Sequence, residues 1–177
     1  MQQKEKEQPS KKKSLWRTVL CFALELAVLW IIFYYLIFFA YIPSSSMVPT
    51  LPEGGVTVAS YLHGDKTVER GDVVIFWSQE YGKKLVKRVI GLPGETVTIE
   101  DGVVSVDGTV LEEPYVIHAD QRSDTFTVPE DCYLFLGDNR ENSEDARFWV
   151  DPYIHTEDLL GVVRVVVWPL TQISIVE

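Results

Sequence analysis

The sequence predicts an all-β domain carried on one N-terminal transmembrane helix. An apolar run of 24 residues stands near the start, and after residue 42 short runs rich in Val, Ile, Thr and aromatic residues alternate with turn signals. The 177 residues carry a net charge of −10, with 46% apolar residues, two cysteines and three histidines. A chain of this length suits one folded domain. Its acidic balance argues against nucleic acid as a partner. Cys21 and Cys132 are too few for a disulfide framework or a four-ligand zinc site.

The charge is unevenly partitioned. Residues 1–17 form a basic tail of net +4, residues 18–41 hold only Glu25, and residues 42–177 carry −13. From Thr18 to Tyr41, 22 of 24 residues are apolar or aromatic. At about 1.5 Å per residue such a helix crosses a hydrocarbon core of roughly 30 Å. A cleavable export signal would be shorter and would end in small residues at −3 and −1, whereas cleavage after Ala40 would put Phe38 at −3. The run is therefore expected to remain as an anchor over residues 18–41, in contact with the lipid bilayer. Five basic residues lie between Lys6 and Arg17, and the first after the run is Lys66. That asymmetry predicts a cytoplasmic tail over residues 1–17 and an extracytoplasmic domain over residues 42–177. Cys21 and Cys132 then lie in different compartments, and Cys132 is expected to serve as a small buried hydrophobe.

Strands are expected at Thr57–Leu62, Asp72–Trp77, Lys84–Ile90, Thr96–Glu100, Val103–Val106, Thr125–Val128, Cys132–Leu136, Val162–Trp168 and Ile173–Val176. Asp101-Gly102 is a strong hairpin signal between two of them, and Asp107-Gly108 marks another turn. A short helix is expected near Ser143–Phe148. Nine short strands in about 135 residues suggest an all-β fold with one core.

Three segments fit poorly with a purely structural role. The first is Pro43-Ser44-Ser45-Ser46-Met47-Val48-Pro49-Thr50-Leu51, where Met47 and Leu51 have the character of packing residues rather than of a hinge. The second runs from Leu85 to Glu95. Period-2 alternation sets Lys87 on the face of Leu85 and Val89, and burial there would lower its pKa and make it a competent base. The third, Gly137 to Trp149, is dense in hydrogen-bonding groups directly after an apolar strand.

Together these segments resemble the bacterial type I signal peptidases, membrane-anchored serine–lysine proteases, in their short Gram-positive-like form. The resemblance rests on four boxes in order. They are Ser44-Ser45-Ser46-Met47-Val48-Pro49-Thr50-Leu51; Arg70-Gly71-Asp72-Val73-Val74; Lys87-Arg88-Val89-Ile90-Gly91-Leu92-Pro93-Gly94-Glu95; and the run from Gly137 to Arg147. It covers nearly the whole chain from the anchor onward. It implies the β fold of that family and cleavage of the signal peptides of exported preproteins, with Ser46 as nucleophile and Lys87 as general base. By the same resemblance Ser44 shares the oxyanion hole with the backbone N–H of Ser46, Ser143 orients the lysine, and Asp145 and Arg147 brace the site as an ion pair. Ile42, Met47 and Val86 flank these groups and are candidate walls of the substrate pocket.

Lys83 and Lys84 precede the apolar part of their strand and are expected to stay solvated. His63, His118 and His155 lie in no triad-like setting, and no metal or organic cofactor is implied. Trp77 and Trp168 are candidates either for core packing or for contact with the membrane interface. Ser45, Ala146, Phe148 and Val150 stand where the family usually has Gly, Ser, Tyr and Gly, and none of these departures removes a proposed catalytic group. The competing reading is a membrane-tethered β domain that binds exported proteins without chemistry.

Overall fold

A computed structural model describes residues 11–64, 67–117 and 120–176. Lys4, Lys6, Lys66 and His118 therefore lie outside the described residues. The chain divides into two compact units, residues 1–37 and 38–177.

The first unit holds helix α1, Lys11–Ile31, continued by a π-helical turn over Ile32–Leu36. Leu15–Leu36 is long and apolar enough to cross a membrane, with mean hydropathy 2.3. Its apolar side chains are exposed, and Trp30 stacks on Tyr34 with ring centroids 5.0 Å apart. The helical run stops at Leu36, five residues short of the expected boundary at Tyr41. Ile37–Tyr41 is instead strand β1, with Phe38 and Ala40 turned toward a core cluster and Phe39 and Tyr41 exposed. An unbroken apolar run hides that alternation, because both faces of the strand are apolar.

The second unit is built from antiparallel strands. They are β2 Val56–Tyr61, β3 Val73–Ser78, β4 Lys83–Gly91, β5 Thr96–Glu100, β6 Val103–Val106, β7 Thr109–Val110, β8 Asp124–Thr127, β9 Cys132–Leu136, β10 Tyr153–His155, β11 Leu159–Trp168 and β12 Ser174–Ile175. The large sheet runs β1-β2-β11-β3-β4-β9-β10, with β12 also on β11, and a smaller sheet runs β7-β6-β5-β8. Every predicted strand is present within a few residues, and β1, β7 and β10 are additional.

Two apolar clusters fill the unit where one core was expected. Successive residues of β3 explain the split: Val74 and Phe76 point into one cluster with Val89, Phe135 and Leu136, while Val73 and Ile75 point into the other with Met47, Leu51 and Val163. A strand apolar on both faces has to be covered on both faces. Cys132 is buried in the first cluster, with Sγ 3.3 Å from His155 Nδ1, and both cysteines are free thiols.

The helix expected near Ser143–Phe148 is absent, and the segment forms turns. Its alternating side chains Ser143, Asp145 and Arg147 are all buried. The Asp145 carboxylate accepts the Gly137 N–H, which ties the segment to the end of β9.

Asp101 and Gly102 both take positive φ, +48° and +81°, as a two-residue hairpin turn with the native strand twist requires. A Cβ at Gly102 would also run into the Asp120 carbonyl oxygen. Gly102→Ala is accordingly expected to destabilise the fold by more than about 1 kcal/mol. Denaturant unfolding in detergent, followed by tryptophan fluorescence, checks this, and an unchanged midpoint would contradict it.

Candidate active site

Ser46 lies in the turns that follow β1, held from both ends by packing. Met47 and Leu51 are wholly buried in the second cluster, and the Leu51 N–H donates to the Met47 carbonyl at 2.8 Å. Ser46 is only 6% exposed. Its Oγ is 3.3 Å from Ser44 Oγ, and its N–H has no acceptor among the described residues.

Lys87 sits in the middle of β4 and is 4% exposed, while Lys83 and Lys84 at the start of the strand are exposed. The Lys87 side chain forms no hydrogen bond or ion pair among the described residues. Burial therefore dominates and lowers its pKa from 10.5 to about 8, with Asp145 opposing and Arg147 reinforcing the shift.

Ser46 and Lys87 line the same two cavities. One, of about 300 Å³, is walled by Phe38 to Pro43 on one side and by Ile75 and Lys84 to Lys87 on the other. The second, of about 240 Å³, lies toward Tyr81, Asn142, Glu144 and Trp149. Ile42 and Val86 line the first cavity, whereas Met47 lines neither and belongs to the core. Neither His63 nor His155 lines either cavity. Among the described residues no group of three or more His, Cys, Asp or Glu side chains could hold a metal ion.

The segment after β9 closes over the back of this arrangement. The Asn139 N–H donates to the Ser46 carbonyl at 3.1 Å, and Asn139 Nδ2 donates to the Ser45 carbonyl at 3.2 Å. Gly137 allows the close approach: a Cβ there would collide with Ser143 Oγ and lie 2.7 Å from the Ser46 carbonyl oxygen. Ser143 is buried beside Asp145, with its Oγ outside hydrogen-bond geometry to any described partner. Burial opposes ionisation of Asp145, but the Arg147 guanidinium and the Gly137 N–H outweigh it and hold the carboxyl below its usual range. Arg147 reaches Asp145 through Nε and Nη2, both at 2.8 Å, and also pairs with Asp120.

Next to Lys87 on β4, Arg88 points to the opposite face. Its Nε and Nη2 meet the two oxygens of Asp138 at 2.9 and 2.7 Å, and Nη1 donates to the Gly71 carbonyl at 2.7 Å. Thr50 completes the group, accepting from Arg88 at 3.1 Å and donating to Asp138. All four sequence boxes thus meet at one buried ion pair. Arg88, Gly137, Asp138 and Asn139 belong to this arrangement although local sequence pattern assigns them no role. The signal available was the placement of a second cation beside Lys87 on the opposite strand face.

The family described as signal peptidase, peptidase S26, matches residues 15–168. Signal peptidase I of Leptolyngbya laminosa is 38% identical over 144 residues, covering 76% of this chain and 70% of that protein. Signal peptidase IB of Staphylococcus aureus is 32% identical over 182 residues, covering 91% and 93%. A crystal structure of a signal peptidase I from Enterococcus faecalis superposes with a TM-score of 0.50 at 32% identity, covering 56% of this chain and 98% of that one.

Asp138→Ala strands the Arg88 charge in the interior and is expected to cost about 3–5 kcal/mol. The double variant Arg88→Met, Asp138→Leu removes both charges and is expected to cost less than the single one. Denaturant midpoints in detergent decide this; a double variant worse than Asp138→Ala would contradict the ion-pair account.

Proposed function

Because the chain belongs to the signal peptidase family, peptidase S26, we propose that it is a membrane-tethered serine endopeptidase that removes N-terminal signal peptides from exported preproteins through a Ser46–Lys87 dyad. The observation that carries the dyad is the burial of Lys87 with no ion-pair partner among the described residues, on the walls of both cavities that Ser46 lines. At pH 7 a lysine titrating near 8 is neutral about one time in ten, against about three in ten thousand for an ordinary lysine.

Neutral Lys87 takes the Ser46 hydroxyl proton as Oγ attacks the scissile carbonyl. The developing oxyanion is received by the unoccupied Ser46 N–H and by the Ser44 hydroxyl, a donor of a kind worth about 2.7–4 kcal/mol in the transition state. The C–N bond then breaks, and protonated Lys87 gives its proton to the leaving nitrogen. Water attacks the acyl-enzyme, with Lys87 again taking a proton and returning it to Ser46. The Asp145–Arg147 pair acts on the lysine by charge, and Ser143 takes the orienting role that the family resemblance implies.

The first cavity suits the residues before the cleaved bond. An extended peptide laid between Phe38–Ile42 and Lys84–Lys87 would hydrogen-bond as a strand, and walls formed by Ile42, Ile75 and Val86 favour small apolar side chains. The helix Leu15–Leu36 supports tethering, and the basic residues before it support a cytoplasmic tail and an external catalytic domain. Ser46 follows that helix by ten residues of chain, a tether that spans at most about 35 Å.

Detergent-solubilised full-length enzyme is expected to cleave a preprotein, and Ser46→Ala and Lys87→Met to leave it intact. For the wild type, kcat/KM is expected to fall about tenfold per pH unit below about 8 and to level off above it, since only the neutral lysine acts. Folded Lys87 titrates near 8 and unfolded lysine near 10.5, so below pH 8 the folded state bears the whole penalty, which fades as the pH rises toward 10.5. Lys87→Met should therefore also stabilise the protein at pH 7, by about 3 kcal/mol. Cleavage by Ser46→Ala, or a rate flat down to pH 5, would overturn the mechanism.

A further inference from the structure

The signal-peptide binding proposed above leaves the second cavity unused, yet that cavity opens onto the same nucleophile. It shares Ser44, Ser46, Leu85 and Lys87 with the first and continues past them to Tyr81, Lys83, Asn142, Glu144 and Trp149. If the residues before the bond fill the apolar cavity, the chain after the bond leaves through this polar one. That direction rests on the proposed reading of Ser46 as nucleophile.

We propose that this cavity binds the first two residues of the mature protein, and that Glu144 makes it discriminate against acidic side chains there in favour of basic ones. The charged groups around the cavity are Lys83, Glu144 and Lys87. Lys87 is neutral in the reacting enzyme. Lys83 is exposed, on a flexible stem, with Nζ 5.1 Å above the Tyr81 ring. Glu144 is the fixed charge: the Tyr81 hydroxyl donates to its Oε1 at 2.8 Å, while Oε2 has no partner among the described residues. Burial and the Glu144 charge push the Tyr81 phenol up to about 12, so it remains a donor throughout the working range. Tyr81 also packs on the main apolar cluster, which anchors the pair. A lysine or arginine side chain entering here meets an oriented carboxylate oxygen, and an aspartate or glutamate meets a like charge. Successive side chains of an extended peptide point to opposite sides, so one of the two positions carries most of the effect.

The test uses full-length enzyme in detergent and a preprotein series with Ala, Lys or Glu at the first or the second mature position. The reading is the ratio of kcat/KM for the Lys and Glu substrates within each enzyme, which cancels any general loss of activity. Wild type is expected to favour Lys about fivefold at one position, the size of an exposed charge pair, and Glu144→Gln to bring the ratio within about twofold of unity. Tyr81→Phe, which frees the carboxylate, should give an intermediate ratio. A ratio that is the same in wild type and Glu144→Gln at both positions overturns the inference. Cleavage of the Ala substrate by wild type and not by Ser46→Ala separates the two claims: if that control fails, the reading of the site falls, and if it holds while the ratios stay fixed, only the role of Glu144 falls.

Discussion

The arrangement depends on the ion pair between Arg88 and Asp138, both almost wholly buried. Strand β4 carries two cations in succession, and the pleat sends them to opposite faces. Arg88 is matched on every side: Asp138 takes it bidentately, Gly71 and Thr50 supply oxygens, and the Tyr115 ring lies 3.9 Å from its guanidinium carbon. Such a pair contributes little net stability against an apolar alternative, but breaking it leaves a charge that the interior cannot solvate. Its value here is positional. Asp138 is flanked by Gly137 and Asn139, whose contacts reach Ser143 and the Ser46 carbonyl, so the pair fixes the segment that backs the nucleophile.

Lys87, one residue away, is left without the partners that Arg88 has. The contrast is chemical as well as geometric. A guanidinium stays protonated and must be paired, whereas an ammonium can escape burial by losing its proton. Asp145 is the carboxylate most able to spoil this, because its charge favours the protonated lysine. Its bidentate pairing with Arg147 offsets that influence, since Arg147 acts on Lys87 in the opposite sense. The Asp145–Arg147 pair thus braces the loop and also leaves the lysine able to lose its proton near neutral pH.

Much of this was legible in local sequence. Alternation along Leu85–Val89 put Lys87 on an apolar face, Met47 and Leu51 stood out as packing residues, and Asp101-Gly102 marked its hairpin. What escaped detection depends on the tertiary structure. The strand Ile37–Tyr41 is concealed inside a run that is apolar on both faces. The turns at Ser143–Phe148 replace a helix because Asp145 bonds Gly137 of the preceding segment, a partner that local periodicity cannot reveal. Met47 adjoins Ser46 in sequence but turns into the core, while Tyr81 and Glu144, 63 residues apart, meet at the second cavity. The meeting of Arg88 with Asp138 likewise spans 50 residues.

Catalysis by the dyad requires that one buried lysine of this chain titrate near physiological pH. Carbon-13 labelling of the lysine Cε positions, followed by NMR across pH 6 to 12 in detergent, tests it most directly. One resonance is expected to titrate near 8 and to be absent in Lys87→Met. A spectrum with no resonance titrating near 8, and with the Lys87 signal assigned above about 10, would overturn the dyad.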